Sequence, residues 1–526
     1  MTPAPLLAPA PPPADAPAPP PANAPAPPAI SEGARVGRNT AFRAAAQALS
    51  AVINLAGMVL LGNRLSASGY GEYAYWYALI PLVASISDLG AGVIVTREMV
   101  HGRDAAERVL GDGLILRALV GVALLLGSTV AGFAVEPAHQ VLFVLVTLAA
   151  VFEFSQDAAV WAFRARERLD LEAALLLVSQ FTWLAGIAVA LAFGGSLSWL
   201  LGSAVVAFVL RTLTGAVMLA RMGLRPRFAF DGTRLRALIA EGWPVGLSLL
   251  LVVFYGRVGV FVLKAVSTPA DVACFNVAYM LSQPFGFLAS ALSMAAFPAF
   301  ARRASRAKIA PGPGSRGLAG PMLAAVKYQL VVAVPIAAGL VLMAGSLVPL
   351  LFHDGKGYVG AVAALRVTSL AIPFVFLNLH ARYLLAAIGR QRVYLVAVCV
   401  GLVANVVGCA LTARTFGALG AAWTFVGAEI LVFAVCQASL ASTVPLSTLL
   451  AQAWRPLAAA LLMGLAVANA RWAGLVGEVA IGAVTYAAAL VITRALSREE
   501  WKVLRGVLAT FRPRRSARLA QRTGQA

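Results

Sequence analysis

Stretches of about 20 apolar residues recur along this chain from Phe42 onward, separated by short polar breaks. Each is long enough to cross a bilayer as a helix. The pattern predicts spans at roughly 41–63, 73–95, 109–133, 139–161, 171–193, 198–220, 240–263, 272–298, 322–350, 359–387, 393–413, 418–440, 455–472 and 476–496. The expected fold class is therefore an all-α integral membrane protein with about fourteen transmembrane helices.

Composition agrees, since 60% of the 526 residues are hydrophobic and 12% charged, which soluble domains could not hide from water. Residues 1–30 are a Pro/Ala tract with 13 of the 29 prolines and no Lys or Arg. A tract of this kind cannot bury a core, so a disordered tail is expected through residue 34. No basic n-region precedes Arg35, so the first helix is expected to act as the targeting element. The four cysteines, Cys274, Cys399, Cys409 and Cys436, sit in apolar runs without metal-ligand spacing and read as small buried hydrophobes.

A net charge of +20 on a soluble chain would suggest nucleic acid. Here the cations sort by topology. With the N-terminus inside, 32 of the 42 Lys and Arg fall in inward segments and 5 in outward breaks (Arg64, Lys264, Lys356, Arg414, Arg471). That asymmetry predicts both termini in the cytoplasm and an even number of spans. Nucleic acid is not an expected partner. The basic segments 302–316 and 512–518 are long enough to attract anionic lipid headgroups, and enforcing topology is their alternative role.

Residues 62–78 (GNRLSASGYGEYAYWYA) and 262–278 (VLKAVSTPADVACFNVA) each close a long helix with a cation, cross a short turn and open an aromatic-bearing helix. Such a correspondence suggests parallel repeats of the kind found in transporter halves.

Several stretches, in order, carry a family resemblance. GRNTAFRAAAQALSAVINLAGMVLLGNRLSASGYGEYA, SDLGAGVIVTRE, WAFRARERLDLEA, EGWPVGLSLLLVVFYGRVGVFVL, GKGYVGAVAALRVTSLAIPF followed by LLAAIGRQRVYL, and ANVVGCALTARTFGALGAAWTFVGAEIL resemble the Wzx-type oligosaccharide flippase family of the MOP (MATE-like) superfamily. The resemblance covers residues 35 to 496. It implies an N-lobe of six helices (35–236), a C-lobe of six more (237–440) related to it by a pseudo-two-fold axis, two extra helices (441–496) and a basic cytoplasmic tail (497–526). It also implies a lipid-linked oligosaccharide flippase of the bacterial inner membrane, working by alternating access in exopolysaccharide or O-antigen-type biosynthesis. The expected cargo is a polyprenyl-pyrophosphate-linked glycan; membrane lipids and glycan polymerase or export proteins are the other expected partners. The Pro/Ala tail departs from the family pattern.

An arginine within a span is costly unless it meets a wet cavity or a partner, and arginine grips phosphate with a planar fork. Five arginines lie in spans: Arg117, Arg211, Arg257, Arg366 and Arg382. Arg257 is the first candidate for the cargo phosphate, because family helix 7 borders the cavity and GRVG leaves small neighbours; an interhelical ion pair or snorkelling is its plainer role. Arg64, at the end of helix 1, could serve an outer vestibule or anchor that helix. Arg382 could snorkel to the cytoplasm. Glu153 and Asp157, four apart and so on one face of helix 4, offer a coupling site for H⁺ or Na⁺ through mutual repulsion, or pair with Arg117 or Arg211. Asp88, in the Asp-Leu-Gly motif, is a further ion-coupling candidate or satisfies a helix end. His101, His139 and His353 fall in loops and His380 stands alone, so no metal site is expected, nor any other cofactor.

Other classes fit less well. A membrane polymerase, ligase or glycosyltransferase would need catalytic acids or a large domain outside, whereas the outward breaks span about 4 to 11 residues. An ATP-driven pump would need a phosphate-cradling G-x-x-x-x-G-K-[ST] loop, and no lysine here is followed by Ser or Thr. A peptidoglycan-precursor flippase or a MATE-type antiporter stays open within the same superfamily; intramembrane arginines favour an anionic cargo over a cationic drug.

Overall fold

The computed structural model describes residues 32–493 apart from 100–102, 136, 156, 295–296, 298–299, 301–318, 354–356 and 442–443. The Pro/Ala tract, both basic segments, the basic tail and His101 lie outside the described residues. Among these residues the chain is all-helical, with no strand. In chain order the helices are α1 (Glu32–Arg64), α2 (Ala67–Asp88), α3 (Ala91–Glu98), α4 (Arg103–Val135), α5 (Gln140–Ser155), α6 (Asp157–Ala165), α7 (Leu169–Ala192), α8 (Leu197–Arg221), α9 (Gly232–Tyr255), α10 (Val258–Val266), α11 (Pro269–Ser282), α12 (286–294), α13 (Ala319–Leu351), α14 (Val359–Ser369), α15 (Ile372–Ala387), α16 (Gln391–Leu440), α17 (Leu446–Asn469) and α18 (Gly474–Ile492).

By length and apolar composition, eleven described helices could cross a membrane, or thirteen when each of two bent pairs counts as one span. The protein is thus a multi-pass membrane protein. Its outer surface is apolar: Leu126, Val130 and Phe133 of α4, Leu411 of α16 and Leu461 of α17 are all more than 60% exposed. Hydrocarbon accepts such side chains where water would not.

Most predicted spans coincide with a helix or a broken pair. The breaks are the new information. Leu89 and Gly90, both left-handed (φ 46° and 74°), bend α2 against α3 by 53°. Gly256 and Arg257 part α9 from α10, and α14 meets α15 at 45°. The fifty residues of α16 break at Gly417 (φ 52°, ψ −132°). Its halves then run antiparallel, since Thr412 Oγ1 lies 3.1 Å from Thr424 Oγ1 and Gly401 rests on Val432.

Capping explains several helix starts. Ser66 and Thr268 accept from the backbone N–H groups of Gly69 and Asp271, each at 3.2 Å, and Pro269 sits at the first position of α11. The two caps sit two residues out of step with the register that sets 62–78 beside 262–278. Packing repeats more clearly than sequence does. α1 lies against α7, α2 against α5 and α5 against α8; correspondingly α10 lies against α16, α11 against α14, and α14 and α15 against α16. α17 and α18 pack on each other and on α13.

Candidate functional site

Helices far apart in sequence meet closely where α2 crosses α11. Gly71 makes this possible, because a Cβ there would lie 1.8 Å from the Pro269 carbonyl oxygen. Asn276 donates to Tyr70 Oη at 2.9 Å, and Lys264 pairs with Glu72. At the same end Asn63 donates to the Leu351 carbonyl at 2.7 Å and accepts from the His353 backbone N–H at 2.9 Å. Nearer the opposite end, Gly90 sits against Gly242 and Gly246 of α9, where any Cβ would strike backbone. Arg97 pairs with Glu241 at 2.7 Å beside it.

Between these contacts lies a cavity of about 740 Å³, within the range of small-molecule sites. It draws on helices far apart in sequence: Gln47, Asn54, Tyr73, Tyr77, Glu153 and Trp183 line it together with Arg257, Asn276, Tyr279 and Gln283. Arg257 is half-buried at the break between α9 and α10, its guanidinium carbon 6.0 Å from the Tyr279 ring centre. No carboxylate forms an ion pair with it among the described residues. At this break Gly256 packs closely, since a Cβ there would lie 3.0 Å from Tyr279 Oη.

The other candidates divide. Arg211, half-buried on α8, lies beside the cavity, close enough to act electrostatically on the Tyr77 hydroxyl along with Glu153 and Arg257. Arg117 is elsewhere: it pairs with Asp88 at 2.5 Å, buried, and its guanidinium lies 3.9 Å over the Trp161 ring. Asp88 also accepts from the Gly92 N–H at 3.3 Å, closing the α2–α3 bend. The pair therefore braces a helix break, and neither member lines the cavity. Arg64, Arg366 and Arg382 are exposed and do not line it either. Arg64 ends α1, where a cation complements the helix dipole, and the Arg366 guanidinium reaches toward Gly345 of α13.

Glu153 and Asp157 belong to one span, Pro137–Ala165. Glu153 lines the cavity; the Asp157 side chain is outside the described residues. Among the described residues no cluster of His, Cys, Asp and Glu could hold a metal. All four cysteines are free. Glu429, buried in α16, accepts from Tyr255 Oη at 2.9 Å and Asn378 Nδ2 at 2.8 Å, a network that ties α9, α15 and α16 together.

Sequence reasoning passed over the aromatic and amide lining. Its signal was present: Tyr70, Tyr73 and Tyr77, spaced three and four apart, fall on one face of α2. A tyrosine-rich stripe reads equally well as core until the cavity beside it is seen.

Among curated proteins none matches this chain. Solved structures do. The lipid II flippase MurJ in an inward closed conformation is similar at a TM-score of 0.70, with 14% identity over 86% of this chain and 98% of its own. An inward-facing multidrug resistance MATE transporter of the MOP superfamily gives 0.59, with 15% identity over 78% and 99%. A MOP superfamily transporter from Pyrococcus furiosus gives 0.53, with 15% identity over 80% and 95%. At these identities the likeness is one of fold. The family described as polysaccharide biosynthesis protein matches residues 36–303, just over half of the chain. This chain therefore belongs to the polysaccharide biosynthesis protein family, and its fold is like that of these MurJ and MATE structures.

Proposed function

We propose that the protein is a flippase that moves polyprenyl-pyrophosphate-linked glycan units across the bacterial inner membrane by alternating access, for exopolysaccharide or O-antigen-type polysaccharide biosynthesis. The observation that carries this is Arg257: a cation without an acidic partner among the described residues, in a cavity that helices far apart in sequence build in a polysaccharide biosynthesis family member. An unpaired cation at membrane depth is expensive and is accounted for by an anionic cargo. A pyrophosphate suits the fork of a guanidinium, and the amides of Gln47, Asn54, Asn276 and Gln283 suit a hydroxylated glycan.

The repeated packing supports two six-helix lobes, 35–236 and 237–440, with α17 and α18 as an appended pair. Contacts at both ends of the cavity supply the seals that alternating access would open in turn: α2 with α11 at one end, α3 with α9 at the other. The loop cations favour cytoplasmic termini, which would make the α2–α11 seal the outward one. Glu153, beside Arg211 and Tyr77, is the acid best placed to couple H⁺ or Na⁺. Polymerase and export proteins of the same pathway are the partners such a flippase would serve.

The test is glycan export in cells carrying Arg257→Ala. Lost export at normal membrane abundance is expected; unchanged export removes Arg257 from the transport path. A cationic-drug antiporter is disfavoured by the same arginine, and reconstitution with lipid-linked substrates separates a polymer-pathway cargo from a peptidoglycan precursor.

A further inference from the structure

One wall of the cavity is an aromatic column. Tyr73 and Tyr77 stack with ring centres 5.4 Å apart and planes 27° from parallel, and Tyr77 lies 6.0 Å from Trp183 of α7. All three line the same space as Arg257. Trp183 is held tightly, since a Cβ on Gly57 of α1 would lie 2.4 Å from its ring. Tyr73 and Trp183 are buried, whereas Tyr77 is half-buried and backed by both.

Tyr73 Oη and Trp183 Nε1 lie buried together, within hydrogen-bonding reach of each other, which fixes the two rings behind Tyr77. A stacked ring that shares its space with Arg257 and the amides of Asn276 and Gln283 suits a ligand that combines hydroxyls with a weakly polar face. A pyranose has both: axial C–H groups carry slight positive charge and settle on the negative face of an aromatic ring, while equatorial hydroxyls reach donors and acceptors at the ring's edge. A cationic guest would meet Arg257.

Resting on the flippase reading above, we infer that Tyr77, backed by Tyr73 and Trp183, is a stacking platform for the sugar next to the pyrophosphate. Arg257 takes the anion and the aromatic column takes the first pyranose. The site then distinguishes a loaded carrier lipid from a bare one, and tolerates different sugars because every pyranose has such a face.

The test uses the full chain in nanodiscs and two probes: bare undecaprenyl pyrophosphate and the same lipid bearing one N-acetylglucosamine. The ratio of their dissociation constants is the readout. Wild type is expected to favour the loaded lipid about fivefold, the scale of one aromatic contact. Tyr77→Leu should bring the ratio to about 1 with bare-lipid affinity unchanged, Tyr77→Phe should keep it, and Arg257→Gln should weaken both probes alike. If Tyr77→Leu does not yield monodisperse protein, Tyr77→Gln carries the same expectation. A ratio of 1 in wild type, or a wild-type ratio in Tyr77→Leu, overturns the platform while leaving the flippase reading intact. Failure of wild type to bind either probe overturns the flippase reading itself.

Discussion

Of the five arginines that fall within spans, Arg257 lines the cavity, Arg211 lies beside it, and Arg117 is spoken for by Asp88 and Trp161. Sequence could locate all five at membrane depth but could not rank them. Which face of a helix meets the cavity depends on breaks such as those at Leu89–Gly90 and Gly256–Arg257. Two predictions belong at this scale. Arg257→Gln should slow translocation at least about tenfold, the loss expected for one charge-assisted phosphate contact, whereas Arg64→Ala, Arg366→Ala and Arg382→Ala should transport near the wild-type rate; initial rates in proteoliposomes check both halves. For the buried brace, Arg117→Met alone strands the Asp88 carboxylate and should destabilise by about 3 kcal/mol or more. The double change Arg117→Met with Asp88→Leu removes both charges and should recover much of that loss, as read from unfolding in detergent.

At the scale of elements, hydropathy is a good guide to where helices lie and a poor one to where they bend. The reason is physical: a break of one or two residues, such as Leu89–Gly90 or Gly256–Arg257, leaves the apolar average of a 20-residue window almost unchanged. The breaks nevertheless place the site, since Arg257 occupies one of them and Gly90 of another seats α9. The early start of α17 at Leu446 was likewise hidden, because Gln452, Trp454 and Arg455 read as the polar edge of a span beginning at 455. Glycine contacts offer a clean test. Gly71→Ala forces a Cβ into the Pro269 carbonyl and should lower the thermal midpoint by several degrees. Gly127→Ala, on α4 with nothing within 4 Å, should leave it unchanged or raise it slightly.

Across the whole molecule, the family and the transporter fold were legible from the order of short motifs, while the cavity was not, because its lining is drawn from helices far apart in sequence, from Gln47 to Arg257 to Gln283. Alternating access requires the α2–α11 seal to open. A cysteine pair at its ion-paired positions, Glu72→Cys with Lys264→Cys in a background lacking the four native cysteines, should block transport when oxidised and restore it on reduction; transport unaffected by oxidation of a verified cross-link would show that this seal does not move. The most direct test of the central claim is the initial rate at which proteoliposomes of the purified chain translocate a labelled polyprenyl-pyrophosphate-linked oligosaccharide. Wild-type vesicles are predicted to move it well above protein-free vesicles, and Arg257→Gln vesicles with equal protein content to move it at a tenth of that rate or less. Equal rates for the two proteins, or none above protein-free vesicles for wild type, would contradict the account.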